Sequence, residues 1–146
     1  MLIPQHILDT VTQFHETYRH PQLPRPEASG IYLLFPSEIS DMVAEHGWPA
    51  TWPNADRPGV YFIFGPRMQL LYIGKASWLG RRLSTYFQYL TGRGSECKIV
   101  HSGWKTRPSY VATVALNKSF EAAALEEYLI GVLNPEENAL WVSRPE

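Results

Sequence analysis

Cysteine is nearly absent from this chain: Cys97 is the only one in 146 residues. That excludes an internal disulfide and any cluster of thiolates around a metal. Long apolar runs are missing as well. The chain is 45% hydrophobic, yet no stretch approaches the roughly 18 uninterrupted apolar residues of a membrane-spanning helix, so no membrane partner is expected. Met1-Leu2-Ile3-Pro4-Gln5-His6 lacks the basic start and long apolar block of a secretory signal. A reducing, cytoplasmic location is the resulting expectation. His6, His15, His20, His46 and His101 stand at no metal-ligand spacing from one another. There is no internal repeat, no low-complexity run, no zinc-finger spacing and no helix-turn-helix pattern.

What is present is an uneven distribution of charge. The net charge is only −1, but residues 1–58 hold three Lys/Arg against seven Asp/Glu, a balance of −4. Residues 59–120 hold nine Lys/Arg against Glu96 alone (+8), and residues 121–146 hold Arg144 against six Glu (−5). Binding to a polyanion depends on the cations at the contact, through local counterion release, and not on the chain total. The middle segment is therefore the candidate phosphate-facing surface; Lys98, Lys105 and Arg107 are candidates to line part of it together with His101, which reads first as an exposed loop histidine.

A chain of this length folds as one unit with a core of its own. Ile3, Ile7, Leu8, Val11, Phe14 and Tyr18 recur at helical spacing, which predicts a helix within residues 1–20 that tolerates Pro4 in its first turn. The proline-rich run over 21–26 breaks it and reads as an extended link. Ile31 to Phe35 has strand character, and Ser37 is placed to N-cap a short helix ending near Gly47. Val60 to Phe64 and Leu70 to Ile73 form a hairpin around Gly65-Pro66-Arg67. A helix is predicted from about Ser77 to Leu90, with Leu79, Leu83, Tyr86, Phe87 and Leu90 as its buried stripe. A mobile loop follows at Gly92-Arg93-Gly94-Ser95. Tyr110 to Leu116 is a third strand, and Ser119 to Leu133 a helix stopped by Asn134-Pro135. The fold class is α+β: a small three-stranded antiparallel or mixed sheet flanked by helices, with a helix-containing N-terminal extension over 1–58.

The most specific signal is a spaced set of residues. Gly59-Val60-Tyr61 is followed eleven residues later by Tyr72-Ile73-Gly74-Lys75, then by Arg82, Glu126 and Asn138. In order and spacing this set resembles the GIY-YIG endonuclease family. Tyr72-Ile73-Gly74-Lys75-Ala76 and Arg82-Leu83-Ser84-Thr85-Tyr86-Phe87 are most similar to the branch found at the N-terminus of the bacterial excision-repair endonuclease subunit. A second tripeptide, Gly30-Ile31-Tyr32, spells the first motif more literally. Its tyrosine precedes Tyr72 by forty residues, too far for a tight hairpin, so the function is assigned to Gly59-Val60-Tyr61.

The resemblance implies metal-dependent hydrolysis of DNA phosphodiesters by residues 59–146. That reaction needs a metal to polarise a phosphoryl oxygen, a means of activating water, and cations that neutralise charge building on phosphorus. By resemblance Glu126 is the ligand of a single Mg²⁺ or Mn²⁺, since a hard cation takes few carboxylates and completes its shell with water and phosphate. A stripe of Ala122, Leu125, Leu129 and Leu133 places Glu126 at its edge and Glu127 further toward solvent. Arg82 offers a planar fork for phosphate. Tyr61 and Tyr72 direct hydroxyls at the phosphate or the attacking water, and Lys75 positions water or phosphate. Gly74, Arg81, Tyr86, Lys105 and Asn138 are expected on the substrate side, with Asn138 pinning the segment after the last helix. Many members carry histidine where this chain has Tyr86, as the repair branch does, so the general base is left among Tyr61, Tyr86 and a metal-bound water. A tyrosine base would need its pKa drawn well below about 10. The acidic 1–58 segment is expected to pack on the domain or to serve a protein partner or self-association. The alternatives are a binding or docking module that keeps the fold without cutting, and RNA as substrate.

Overall fold

The computed structural model describes residues 1–39, 46–92 and 96–141. In chain order its elements are α1 (Gln5–Tyr18), β1 (Glu27–Ala28), β2 (Tyr32–Leu33), β3 (Gly59–Phe64), β4 (Leu70–Ala76), α2 (Leu79–Tyr86), β5 (Phe87–Tyr89), β6 (Cys97–Ile99), β7 (Tyr110–Ala115) and α3 (Ser119–Leu133). The fold is α+β, as expected. The sheet is antiparallel throughout and larger than the predicted three strands. β3 lies between β4 and β7, and both β1 and β2 add to the outer edge of β7. β2 falls inside the Ile31–Phe35 segment that showed strand character, whereas the two residues of β1 leave no periodicity to read.

The hairpin forms where predicted. Gly65 and Gln69 close its loop through an N–H···O bond of 2.9 Å, with Met68 in the left-handed region at φ 60°. A bulge at Ile63/Phe64 leaves Leu71 as the extra residue of β4. α3 has the predicted bounds and ends on Asn134 at φ 46°, a left-handed cap ahead of Pro135.

α2 is shorter than predicted. It stops at Tyr86, and Phe87-Gln88-Tyr89 pairs with Cys97–Ile99 as a separate two-stranded ribbon. The apolar spacing across Tyr86, Phe87 and Leu90 fits a helical stripe equally well, and pairing with a distant strand decided the outcome. The predicted Ser37-capped helix lies mostly outside the described residues. Its described start is a single 3-10 turn, Pro36–Glu38, capped by Phe35 and not by Ser37. The Gly92–Ser95 loop lies outside them too, except for Gly92.

Alternation along the central strands builds two cores. Val60, Phe62, Phe64, Ile73, Ala112 and Val114 face α1 and α3, whose Ile7, Val11, Phe14, Ala122, Leu125 and Leu129 close that side. Tyr61, Ile63, Tyr72 and Val111 face α2 and the Trp48 loop on the other. Each large side chain so buried contributes about 1.5–3 kcal/mol. Residues 1–58 are thus woven into the same layers as the rest: α1 supplies core, while β1 and β2 extend the sheet. Tyr32 of the second tripeptide is fully buried, donates to the Ala50 carbonyl at 2.7 Å and packs on Trp52. It closes the sheet edge remote from β4. Among the described residues no helix is long and apolar enough to cross a membrane.

After α3 the chain returns along the free edge of β4. Glu136 and Glu137 donate backbone N–H groups to the Leu70 and Leu71 carbonyls at 3.1 and 2.8 Å. The Glu137 side chain is only 2% exposed and accepts the backbone N–H groups of Lys105 and Thr106 at 2.7 and 3.1 Å. A buried carboxylate that satisfies two amides is expensive to delete, because the amides are left unpaired. Glu137→Ala is expected to destabilise the fold by about 3 kcal/mol, read as a lower urea midpoint with an unchanged m-value.

Candidate active site

Tyr61 and Gly74 stand directly opposite each other on β3 and β4, and Ile63 stands opposite Tyr72. Directly opposed residues share a sheet face, so both motif tyrosines point to the α2 side. The register explains the glycine. A Cβ built on Gly74 would lie 2.2 Å from the Tyr61 hydroxyl oxygen, so Gly74 is the space in which the Tyr61 ring lies, and it is buried beneath it. Gly59 is required for a similar reason, since its Cβ would meet the Val114 carbonyl at 2.1 Å.

α2 crosses this face with Leu79, Leu83 and Tyr86 buried against it. The Tyr61 and Tyr86 hydroxyls share a hydrogen bond of 2.8 Å. The rings of Tyr61, Tyr72 and Tyr86 form a triangle with centroids 5.6–6.2 Å apart. Trp104 stands edge-on to Tyr72, and His101 edge-on to Tyr86. Burial is the main cause of a Tyr61 pKa well above its usual 10, reinforced by Tyr86 and Tyr72, while Arg82 pulls weakly the other way. That is opposite to the shift a tyrosine general base requires.

The cations lie around the end of β4. Lys75, Ala76, Ser77 and Arg82 form one side of a cleft of about 260 Å³, and Ser119, Phe120, Ala122 and Ala123 of α3 form the other. Arg82 is half-buried, whereas Arg81 is exposed and lays its guanidinium over the Trp78 ring at 4.3 Å. Glu126 follows Ala122 by four residues, one turn of about 5.4 Å further along the same helical face. It is half-buried, and Glu127 is exposed. Lys75 alternates onto the α3 side of the sheet, and Tyr72 and Gly74 onto the α2 side. β4 is the last strand of the sheet order.

The remaining residues of the sequence set take other places. The Asn138 amide is engaged by the backbone of β4: it accepts from Ile73 N–H and donates to Ile73 C=O, each at 2.9 Å. Lys105 is tied through its backbone to Glu137, with its side chain exposed. Arg107, one of the nine middle cations, is paired bidentately with Glu38 at 3.0 and 3.1 Å and covers the Phe35 ring. Sequence reasoning missed Glu137, Trp104 and Phe120. Asn134-Pro135-Glu136-Glu137 marked a helix stop, but nothing in its spacing identified which carboxylate turns inward. Among the described residues no group of three or more His, Cys, Asp or Glu is placed to cage a metal. Glu126, one helical turn beyond the cleft-lining Ala122, is the carboxylate that would serve a hard cation, which takes few protein carboxylates and completes its shell with water and substrate oxygens.

Two outcomes follow for this packing. Gly74→Ala is expected to cost about 1–3 kcal/mol through overpacking and to break the Tyr61–Tyr86 contact, measured by urea unfolding and by tyrosine fluorescence. Burial holds Tyr61 protonated and pushes the Cys97 thiol up to about 12. As pH rises the unfolded chain therefore releases these protons before the folded one, so stability is complete below about pH 9 and falls above it. Tyr61→Phe is expected to show a smaller fall between about pH 10 and 11 in a series of unfolding curves.

The sequence profile of the UvrC-like GIY-YIG domain matches residues 57–139. Relatives include UvrABC system protein C of Wolinella succinogenes, 32% identical over 87 residues, and that of Ectopseudomonas mendocina, 38% identical over 84 residues. That of Pseudomonas syringae pv. tomato is 37% identical over 84 residues. Each match covers 58% of this chain but only 13–14% of the relative's own length. The profile match spans more than half of the chain, and the chain belongs to the UvrC-like GIY-YIG family.

Proposed function

We propose that this protein is an endonuclease that hydrolyses DNA phosphodiesters at the β4–α2–α3 cleft with one divalent cation. The observation that supports this reading is that Lys75, Arg82 and Ala122, one helical turn before Glu126, line a single cleft within the segment that matches the family. Glu126 would hold Mg²⁺ or Mn²⁺, which when bound would polarise a phosphoryl oxygen and lower the pKa of a coordinated water. Arg82 pairs through its fork with non-bridging oxygens as charge accumulates on phosphorus. Lys75 adds a compact charge from the opposite side of the edge strand. Tyr72 directs its hydroxyl from the tyrosine triangle, and Tyr61 supports it through Tyr86, remaining protonated as a hydrogen-bonding group and not acting as a base. Asn138 and Glu137 hold the edge of β4 and the Trp104–Thr106 segment in place behind these groups. DNA repair is the pathway this reading favours, and the cytoplasm the compartment.

The test is cleavage of labelled single-stranded, duplex, nicked and branched DNA, with matching RNA, in Mg²⁺ or Mn²⁺ and in EDTA. Glu126→Ala is expected to abolish metal-dependent cutting with an unchanged circular dichroism spectrum, while Glu127→Ala leaves it nearly intact. The reverse pattern would overturn the assignment of the metal ligand. Arg82→Lys is expected to lower the rate about a hundredfold, because a point charge does not replace the fork.

A further inference from the structure

The rim of the cleft carries aromatic surface that the fold does not use. Phe120, in the first turn of α3, lines the cleft with Lys75 and Arg82 yet is 78% exposed. Trp78 follows the cleft-lining Ser77, is 51% exposed, and supports the Arg81 guanidinium on its ring. Neither ring joins either core cluster. Neither is needed for its helix: the buried stripe of α3 is Ala122, Leu125 and Leu129, and phenylalanine is only a moderate helix former. One exposed aromatic is ordinary. Here Phe120 lines a cation-lined cleft itself, and Trp78 directly follows Ser77, which lines the same cleft.

Charge decides what they would meet. Lys75, Arg81, Arg82 and Lys118 lie in the three segments that bear these rings, so an apolar peptide would gain nothing from its surroundings. A nucleotide matches both features, with a phosphate for the cations and a π-face for the rings. Beyond Phe120 an apolar groove of about 570 Å³ runs between α1 and α3, but its Arg19 is already paired with Glu121, and Glu127 stands beside them, so it offers no excess of positive charge to a phosphate backbone. The nucleotide contact is therefore confined to the rim. In a continuous duplex both faces of each base are covered by its neighbours, so only unstacked bases can reach these rings.

We propose that Phe120 and Trp78 form a base-stacking subsite that takes unstacked nucleobases beside the phosphate held at Lys75 and Arg82. The preferred substrate is then DNA that is single-stranded or branched at the cut. This rests on the nuclease reading for its chemistry, but its binding is measurable without cutting. The experiment is fluorescence anisotropy of the full chain in EDTA, with a labelled oligothymidine and a labelled hairpin duplex, and a parallel Mg²⁺ cleavage assay on a branched substrate. Phe120→Ala and Trp78→Ala are each expected to weaken single-strand binding about tenfold while duplex binding barely changes, and Phe120→Trp is expected to keep it. Unchanged single-strand binding in both alanine variants would overturn the subsite and assign the rim to a protein partner. Equal losses on duplex would overturn it as well, as would a wild-type chain that binds neither probe. If the wild type cuts but the alanine variants bind single strands normally, the subsite fails and the nuclease reading stands. If the wild type cuts nothing yet single-strand binding is lost in the variants, the subsite stands and the nuclease reading fails.

Discussion

The arrangement of the candidate site is set by one cross-strand pair, the Tyr61 ring lying over Gly74. With the ring seated there its hydroxyl meets that of Tyr86, and this contact fixes where α2 crosses the sheet. Arg82 lies one turn before Tyr86 on the same helix, so its reach toward the end of β4 depends on that crossing. A side chain at 74 would lift the ring, and every later placement would move with it. The two glycines of the motifs are thus sterically required at positions where strands and rings approach closely. Neither Gly59 nor Gly74 adopts a positive φ, so conformational freedom is not the reason for them.

The second constraint is that β4 is an edge. Residues that alternate to opposite faces of a sheet are normally separated by its whole thickness. At the end of this edge strand Lys75 and Ala76 open onto the cleft beside Arg82, and α3 closes its other side. An open edge is also a hazard, because its unpaired N–H and C=O groups invite another strand. The chain covers that edge from Leu70 to Ile73 with Glu136, Glu137 and the bidentate Asn138 amide. Asn138 belongs to the motif in sequence, and its place in the structure is that of a clamp which seals part of the edge next to the cleft.

The sequence made the parts with strong local signals legible. α3 is one example: its apolar spacing and Asn134-Pro135 stop located both ends, and the same stripe separated Glu126 from Glu127 by exposure. The β3–β4 hairpin is another, through alternation around Gly65-Pro66-Arg67. What stayed hidden depends on contacts between distant segments. Phe87-Gln88-Tyr89 became a strand because Cys97–Ile99 was available to pair with it, and β1 exists only as an addition to β7. Glu137 looked like one solvated acid among several until two amides from residues 105 and 106 were found on it.

Charge patterning was legible as a segment property, and the fold redistributes it. The acidic N-terminal segment and the basic middle meet in space where Glu38 pairs with Arg107, while Glu27 pairs with Arg57 inside the N-terminal segment. Arg19 reaches across from the end of α1 to Glu121 at 2.9 Å. Exposed pairs such as Glu38–Arg107 contribute at most about 1 kcal/mol each, so their larger effect is on the field. By occupying Arg107 the Glu38 pair removes one middle-segment cation from the phosphate-facing set. Residues 1–58 therefore shape the site without lining its cleft. They close the far side of the sheet, cover one core face with α1, and draw one cation away from the basic surface.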